Sequence, residues 1–372
     1  MSTSNRLLSL DAFRGMTIAG MILVNNPGSW SHVYAPLLHA DWHGITPTDW
    51  VFPFFIFIVG VSIALALGKR KAAGTERAPL VRKIIRRALT IFAIGLFLNL
   101  FPKFNFASVR IPGVLQRIAL VYGVTALLFL YVSPRRLFWI GVGCLLGYWA
   151  LLTLVPIPGG IAPNLEPSTN LGAWFDRTLL EGHLWAQSKT WDPEGLLSTL
   201  PAFATGISGI LTGLWLKTER GGYEKVAGLL AVGTLLLALG NIWHLAFPIN
   251  KKIWTSSYVL YTSGVALLVL GTIYWLADLR GYRRWTQPFV VYGTNALFVF
   301  VLSGFIAKLM YTIKFTNAAG EAVSIKSWVW NDLYANLFAD PKLSSLAFAL
   351  TNVVFFWGLC WLLYQKRIFI KV

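Results

Sequence analysis

Ten mostly apolar stretches recur along this chain; nine run to about twenty residues, long enough to cross a bilayer as a helix, and the first is short. They lie near 13–26, 48–68, 84–101, 112–132, 137–155, 194–216, 225–247, 254–277, 288–312 and 344–364. Inside a bilayer every backbone polar group needs an internal partner, so such a chain becomes a helix bundle. The expected fold is therefore all-α, a polytopic transmembrane bundle of about ten spans forming one domain over residues 1–372. Composition agrees. Only 13% of the 372 residues are charged, against about 25% in soluble domains. Cys144 and Cys360 fall in apolar stretches, so no disulfide framework is expected.

The connecting segments alternate in charge. Arg6, Arg14, the basic residues from Lys69 to Arg87, and those near 135, 217–225, 280–284 and 366–371 make 21 basic residues on one side, against nine on the other. The positive-inside rule makes the first side cytoplasmic and places both termini there. Ten of the 15 carboxylates fall on the outer side. The net charge of +17 thus reads as topology and attraction to anionic lipid, or as a basic vestibule for a phosphate-rich cytosolic ligand. Nucleic-acid binding is not expected, because the charge is spread over short loops. No N-x-S/T sequon occurs, and no cleavable signal peptide is expected. The missing sequons point to a bacterial inner membrane.

Polar residues concentrate around the first outer loop: Asn25, Asn26, His32, His39, Asp41, His43 and Asp49. Imidazole in general titrates at about pH 6.5, which suits proton uptake near neutrality. His39 therefore reads as a proton acceptor or as an interfacial packing residue. His39 and His43 have an i,i+4 spacing, but the H-E-x-x-H pattern and a third ligand are missing, so no metal is expected. Asp49 fits helix initiation, with Thr46 as N-cap and Pro47 at the first position, and equally the orientation of a histidine. Asn25 either ends the first span or supplies an oxyanion donor. Arg117, inside a span, is a functional candidate or a snorkelling side chain, and Lys308 is a weaker case of the same kind. Asn295, in YGTNALFVF, joins helices or contacts a ligand. In WDPEG, Trp191, Asp192 and Glu194 read as an outer ligand site or as a proline turn with helix-start acids.

Taken in order, RLLSLDAFRGMTIAGMILVNN, LLHADWHGITPTDWVFPFFIFIVGVSI, RIPGVLQRIALVYG, WDPEGLLSTLPA, INKKIWTSSYVLYTSG and YGTNALFVF resemble the heparan-α-glucosaminide N-acetyltransferase family, including its compact bacterial NagX-type members. The resemblance runs from about Arg6 to the C-terminus. It implies acetyl transfer from cytosolic acetyl-CoA to an amino sugar across the membrane. The family histidine falls on His39, its asparagine on Asn25 and its aspartate on Asp49. His43 matches a position that need not be histidine.

Lysosomal members carry a longer N-terminal region and an extra span, so the expected acceptor is glucosamine or a short oligosaccharide of it. CoA phosphates would meet Lys69, Arg70, Arg86, Arg87, Arg283 and Arg284, with Asn295 also near the cofactor. The sugar would meet Trp42, Trp191, Asp192, Glu194 and Arg117. His39 would take the amine proton or carry the acetyl group itself. A homodimer is implied by family relatives. Two other classes remain open: a secondary transporter of sugars or amino sugars, and a non-catalytic membrane component that binds a partner through its 313–343 loop.

Overall fold

The structure, a computed structural model, describes residues 7–316 and 320–370. Arg6 and Lys371, counted above among the basic residues, lie outside the described residues. The chain is helical almost throughout. Its helices are α1 (Leu8–Asn25), α2 (Val51–Ala72), α3 (Arg77–Leu100), α4 (Val114–Tyr131), α5 (Pro134–Leu154), α6 (Leu171–Leu180) and α7 (Thr199–Leu216). They continue with α8 (Gly222–His244), α9 (Ser256–Ile273), α10 (Gln287–Thr294), α11 (Ala296–Thr312), α12 (Ile325–Trp328) and α13 (Pro341–Gln365). Among the described residues the only strands form one short hairpin, β1 (Lys314–Thr316) with β2 (Ala322–Ser324).

Seven helical segments are long and apolar enough to cross a membrane, and eight if the bent pair α10–α11 counts as one. Of the ten expected spans, the first and third correspond to α1 and α3, which are not among these. Both carry charges within the helix: Asp11 and Arg14 in α1, and Arg82, Lys83, Arg86 and Arg87 in α3.

Burial separates the bundle's interior from its rim. The apolar windows of α2 and α7 are 61% and 67% buried, whereas those of α8 and α13 are each 22% buried. Glycine permits the tight central packing. A Cβ on Gly60 of α2 would strike the Gly206 carbonyl of α7, and one on Gly209 would strike that of Phe57. Small residues let transmembrane helices approach backbone to backbone in this way.

Helix ends are completed by distant residues. The Asp278 carboxylate accepts from the Leu8 and Ser9 N–H groups at 3.2 and 3.0 Å, supplying the anion that a helix N-terminus favours. Lys308 Nζ donates to the Leu98 and Phe101 carbonyls at the end of α3. The span expected at 288–312 bends by 69° between α10 and α11. At the break Asn295, 1% exposed, donates to Ile368 O at 3.1 Å and accepts from Ile370 N–H at 2.8 Å. Its amide thus ties the C-terminal tail to the bend.

Candidate active site

The loop between α1 and α2 folds back onto the start of α2. A short turn over Pro47–Trp50 leads into the helix, as Pro at the first position favours. Asp49 within it is 1% exposed. Its Oδ2 accepts from the backbone N–H of Ala40 at 3.1 Å and of Thr46 at 3.0 Å. Its Oδ1 lies 2.7 Å from His39 Nδ1. Thr46 Oγ1 donates to Leu38 O at 2.6 Å, which closes the loop beside the histidine. One carboxylate therefore both starts the helix and holds the imidazole. A carboxylate can only accept, so Nδ1 carries the proton and Nε2 is left as the acceptor. The His39 side chain is 44% exposed.

His39 opens into a cavity of about 1010 Å³. Around it at this end stand Asn25, Thr48, Arg110, Trp185, Glu194, Lys251 and Lys252. The middle is apolar, lined by Phe55, Ile58, Val59, Ile118 and Phe300. The other end is basic: Arg14, Arg70, Lys83, Arg86 and Arg87. Thr48 and Arg70 both line it and are 22 positions apart along one helical segment, so the cavity runs about 33 Å at about 1.5 Å per residue. Asn25, the last residue of α1, is exposed into it.

The WDPEG segment lies against this cavity on a buried ionic cluster. Arg110 Nε and Nη2 grip Asp192 at 2.8 and 2.5 Å, and Nη2 reaches Glu194 Oε2 at 2.5 Å. Burial works against the Arg110 charge, but Asp192 and Glu194 outweigh it and hold the guanidinium above its usual range. Asp176 accepts from the Asp192 and Leu196 N–H groups, and burial pushes its carboxyl up to about 6. Arg117 is fully buried in α4. It donates to Gly195 O at 3.0 Å and to Ser198 Oγ, and it lies over the Trp254 ring at 5.1 Å. Arg117 therefore supports the segment from behind and does not line the cavity.

Trp42 and Trp191 pack edge to face at 5.1 Å, with Trp185 against Trp191 at 5.6 Å. Of the three, Trp185 is the one that reaches the cavity. Glu194 lines the cavity, whereas Asp192 is turned into the cluster. Among the expected basic contacts, Arg70, Arg86 and Arg87 line it; Lys69, Arg283 and Arg284 do not. Asn295 is engaged by the tail, while its neighbours Thr294 and Ala296 line the wall. His43 Nδ1 lies 3.3 Å from Asn250 Nδ2, outside the cavity lining. Burial lowers the His43 pKa, with Glu166 opposing. Among the described residues no group of three or more His, Cys, Asp or Glu gathers as a metal site.

Lys251 and Lys252 went unnoticed as site residues. Lys251 Nζ lies 3.0 Å from both His39 nitrogens and 3.8 Å from Asp49 Oδ1. Lys252 Nζ donates to Asp41 O. Both belong to INKKIW, whose order carries the resemblance, but nothing local says which loop that turn meets. Arg110, Trp185, Arg14 and Lys83 were missed for the same reason.

A family model described as the catalytic region of heparan-alpha-glucosaminide N-acetyltransferase matches residues 6–166. That stretch holds Asn25, His39, Asp49, Arg110 and Arg117. The mouse heparan-alpha-glucosaminide N-acetyltransferase is 30% identical over 313 residues, covering 69% of this chain and 47% of the mouse protein. The human protein of that name is 30% identical over 309 residues, covering 68% of this chain and 46% of the human one. The chain thus spans about half the length of the curated relatives it matches. On this likeness, carried through the loop and helix that build the His39–Asp49 pair, the chain belongs to the heparan-alpha-glucosaminide N-acetyltransferase family.

Proposed function

We propose that this protein is a transmembrane N-acetyltransferase. It moves acetyl from cytosolic acetyl-CoA to the amine of glucosamine, or of a short glucosamine-containing sugar, on the periplasmic side. One observation carries the reading: a single cavity joins the His39–Asp49 pair to five basic side chains, of which Arg70 lies about 33 Å from Thr48 along the α2 segment. In this reading the chain is one domain of about ten spans, α1 and α3 included, in a bacterial inner membrane with both termini cytoplasmic. It is a compact NagX-type member and assembles as a homodimer.

The basic end suits CoA phosphates, because Arg presents planar donor forks to them. The apolar middle suits the pantetheine arm, and the thioester then lies near His39. His39 Nε2 takes a proton from the neutral sugar amine as its nitrogen attacks the acetyl carbonyl. Asn25 donates to the oxygen that gains charge. The C–S bond breaks, CoA leaves as thiolate, and the proton on Nε2 is released to it. In an alternative order of events, Nε2 itself attacks and holds the acetyl group before the amine arrives. Trp185 offers the sugar an aromatic face and Glu194 offers its hydroxyls an acceptor, with Trp191, Trp42, Asp192 and Arg117 supporting them. No step needs a metal.

Asp49→Asn is expected to lower turnover by about 10²–10⁴-fold, since an amide can present a donor to Nδ1 and reverse the tautomer. A kcat measurement in detergent, beside a melting curve, checks this. An unchanged kcat would remove Asp49 from the mechanism.

A secondary transporter is the second reading, favoured by the helix broken at Asn295, since transporters place broken helices at their sites. Purified protein supplied with acetyl-CoA and glucosamine separates the two. N-acetylglucosamine and free CoA thiol in equal amounts support the transferase. Glucosamine uptake into vesicles without acetylation would overturn it.

A further inference from the structure

The turn between α8 and α9 is largely buried and held by its own hydrogen bonds. Asn250 is fully buried. Its Oδ1 accepts from Ile253 N–H at 3.1 Å, and its own N–H donates to Thr255 Oγ1 at 2.9 Å. Ile249 O accepts from Gly44 N–H at 2.8 Å, which clamps the turn to the loop between α1 and α2. Trp254, with φ of +51°, adopts the left-handed conformation that a non-glycine residue rarely takes. This frame presents one side chain to the imidazole, that of Lys251.

We propose that Lys251 is a positioning residue acting through His39: its ammonium, held against both ring nitrogens, opposes formation of the imidazolium and keeps His39 ready to accept a proton. The proposal rests on His39 being the proton acceptor of the reaction above.

The opposing charges are all in view. Asp49, from the start of α2, favours a charged imidazole at 2.7 Å. Lys251 counters it from 3.0 Å. Glu194 from the WDPEG segment, Arg110 from the α3–α4 loop and Lys252 from the same turn line this end of the cavity, and Asp41 lies beside Lys252. Lys251 is held by this balance too. Burial, with Lys252, lowers its pKa overall, and Asp49 and Glu194 oppose that shift and favour the ammonium. Without Lys251 the Asp49 carboxylate would favour the charged ring unopposed. With Lys251 in place the same carboxylate orients the ring without trapping the proton.

The test is the acidic limb of kcat/KM against pH for the full-length protein in detergent, with acetyl-CoA and glucosamine. Lys251→Met should move that limb to higher pH by about one unit or more. Coulomb's law at the dielectric of water already gives about one unit for charges about 3 Å apart. Lys251→Arg keeps the charge and should leave the limb within a few tenths of a unit of wild type. A structural role alone would lower the rate of Lys251→Met without moving the limb, and that result overturns the proposal.

A second readout does not need turnover. Diethylpyrocarbonate attacks neutral imidazole, so the pH at which His39 becomes reactive reports its protonation. It is read by mass spectrometry of the His39 peptide, with His39→Ala as the blank. Lys251→Gln, available should Lys251→Met not fold, is expected to shift that midpoint upward, and an unmoved midpoint overturns the proposal. If His39→Ala retains full activity, the reading of His39 fails. If His39→Ala is inactive and the limb stays in place in Lys251→Met, only the role of Lys251 fails.

Discussion

Replacing His39 by alanine is expected to lower acetyl transfer by about 10²–10⁴-fold, the usual contribution of a positioned base, while leaving the protein folded. The two halves of that expectation rest on different facts. The imidazole is the one proton acceptor of its kind lining the cavity among the described residues, and its Nε2 is not committed to a backbone partner. Its side chain is also 44% exposed, so little packing is lost with it. Asp49 keeps its bonds from Ala40 and Thr46 and gains access to Lys251, 3.8 Å away. The carboxylate is therefore not stranded, and the start of α2 survives. Both chemical orders, proton acceptance and acetyl carriage, predict the loss. They part on rescue. Added imidazole restores transfer in His39→Ala if a free base suffices. An acetyl group trapped on the His39 peptide of wild type, in the absence of sugar, would identify the covalent order.

The second large effect is on stability. Arg110→Ala is expected to cost about 3–5 kcal/mol, the range found when one partner of a buried ion pair is removed. The Asp192 side chain is 0% exposed and that of Glu194 is 9%. Asp192 loses a forked donor and Glu194 a single one, and both are left as buried carboxylates without their counter-charge. Arg110→Lys returns the charge but not the fork, so it should recover part of the loss. Thermal melting in detergent measures both variants. Because Glu194 also lines the cavity, KM for the sugar should rise in the variant that remains folded. A melting curve matching wild type for Arg110→Ala would show that the cluster is solvated and that the WDPEG segment is held by other contacts.

How much of this was legible beforehand follows from the range of each interaction. Helices are local: apolar runs located α2, α4, α5, α7, α8, α9 and α13 to within a few residues of their observed ends. The loop around His39 is also local, since Asp49 lies ten positions on, and both readings of that aspartate are realised by its two oxygens.

The partners that complete the site are distant. Lys251 meets His39 across 212 positions, Arg110 meets Asp192 across 82, and Asp278 caps α1 at Leu8 across 270. Hydrophobic periodicity reports which face of a helix is buried, and it is silent on which helix lies against it. The break at Asn295 was hidden for a related reason. Its cause is an amide bonded to the C-terminal tail, 73 and 75 positions later, inside a run that is apolar enough to continue as one span. Arg117 was visible as a charge at membrane depth, but its work, supporting Gly195 and Ser198, depends on a fold that only the structure displays.

The most direct test of the central claim places the two substrates on opposite sides of a membrane. Protein is reconstituted into sealed vesicles loaded with acetyl-labelled acetyl-CoA, and glucosamine is added outside. The account predicts labelled N-acetylglucosamine in the outer solution with wild type, CoA retained inside, and neither change with His39→Ala. Label that never leaves the lumen although acetyl-CoA is bound, or glucosamine that accumulates inside unacetylated, would contradict it.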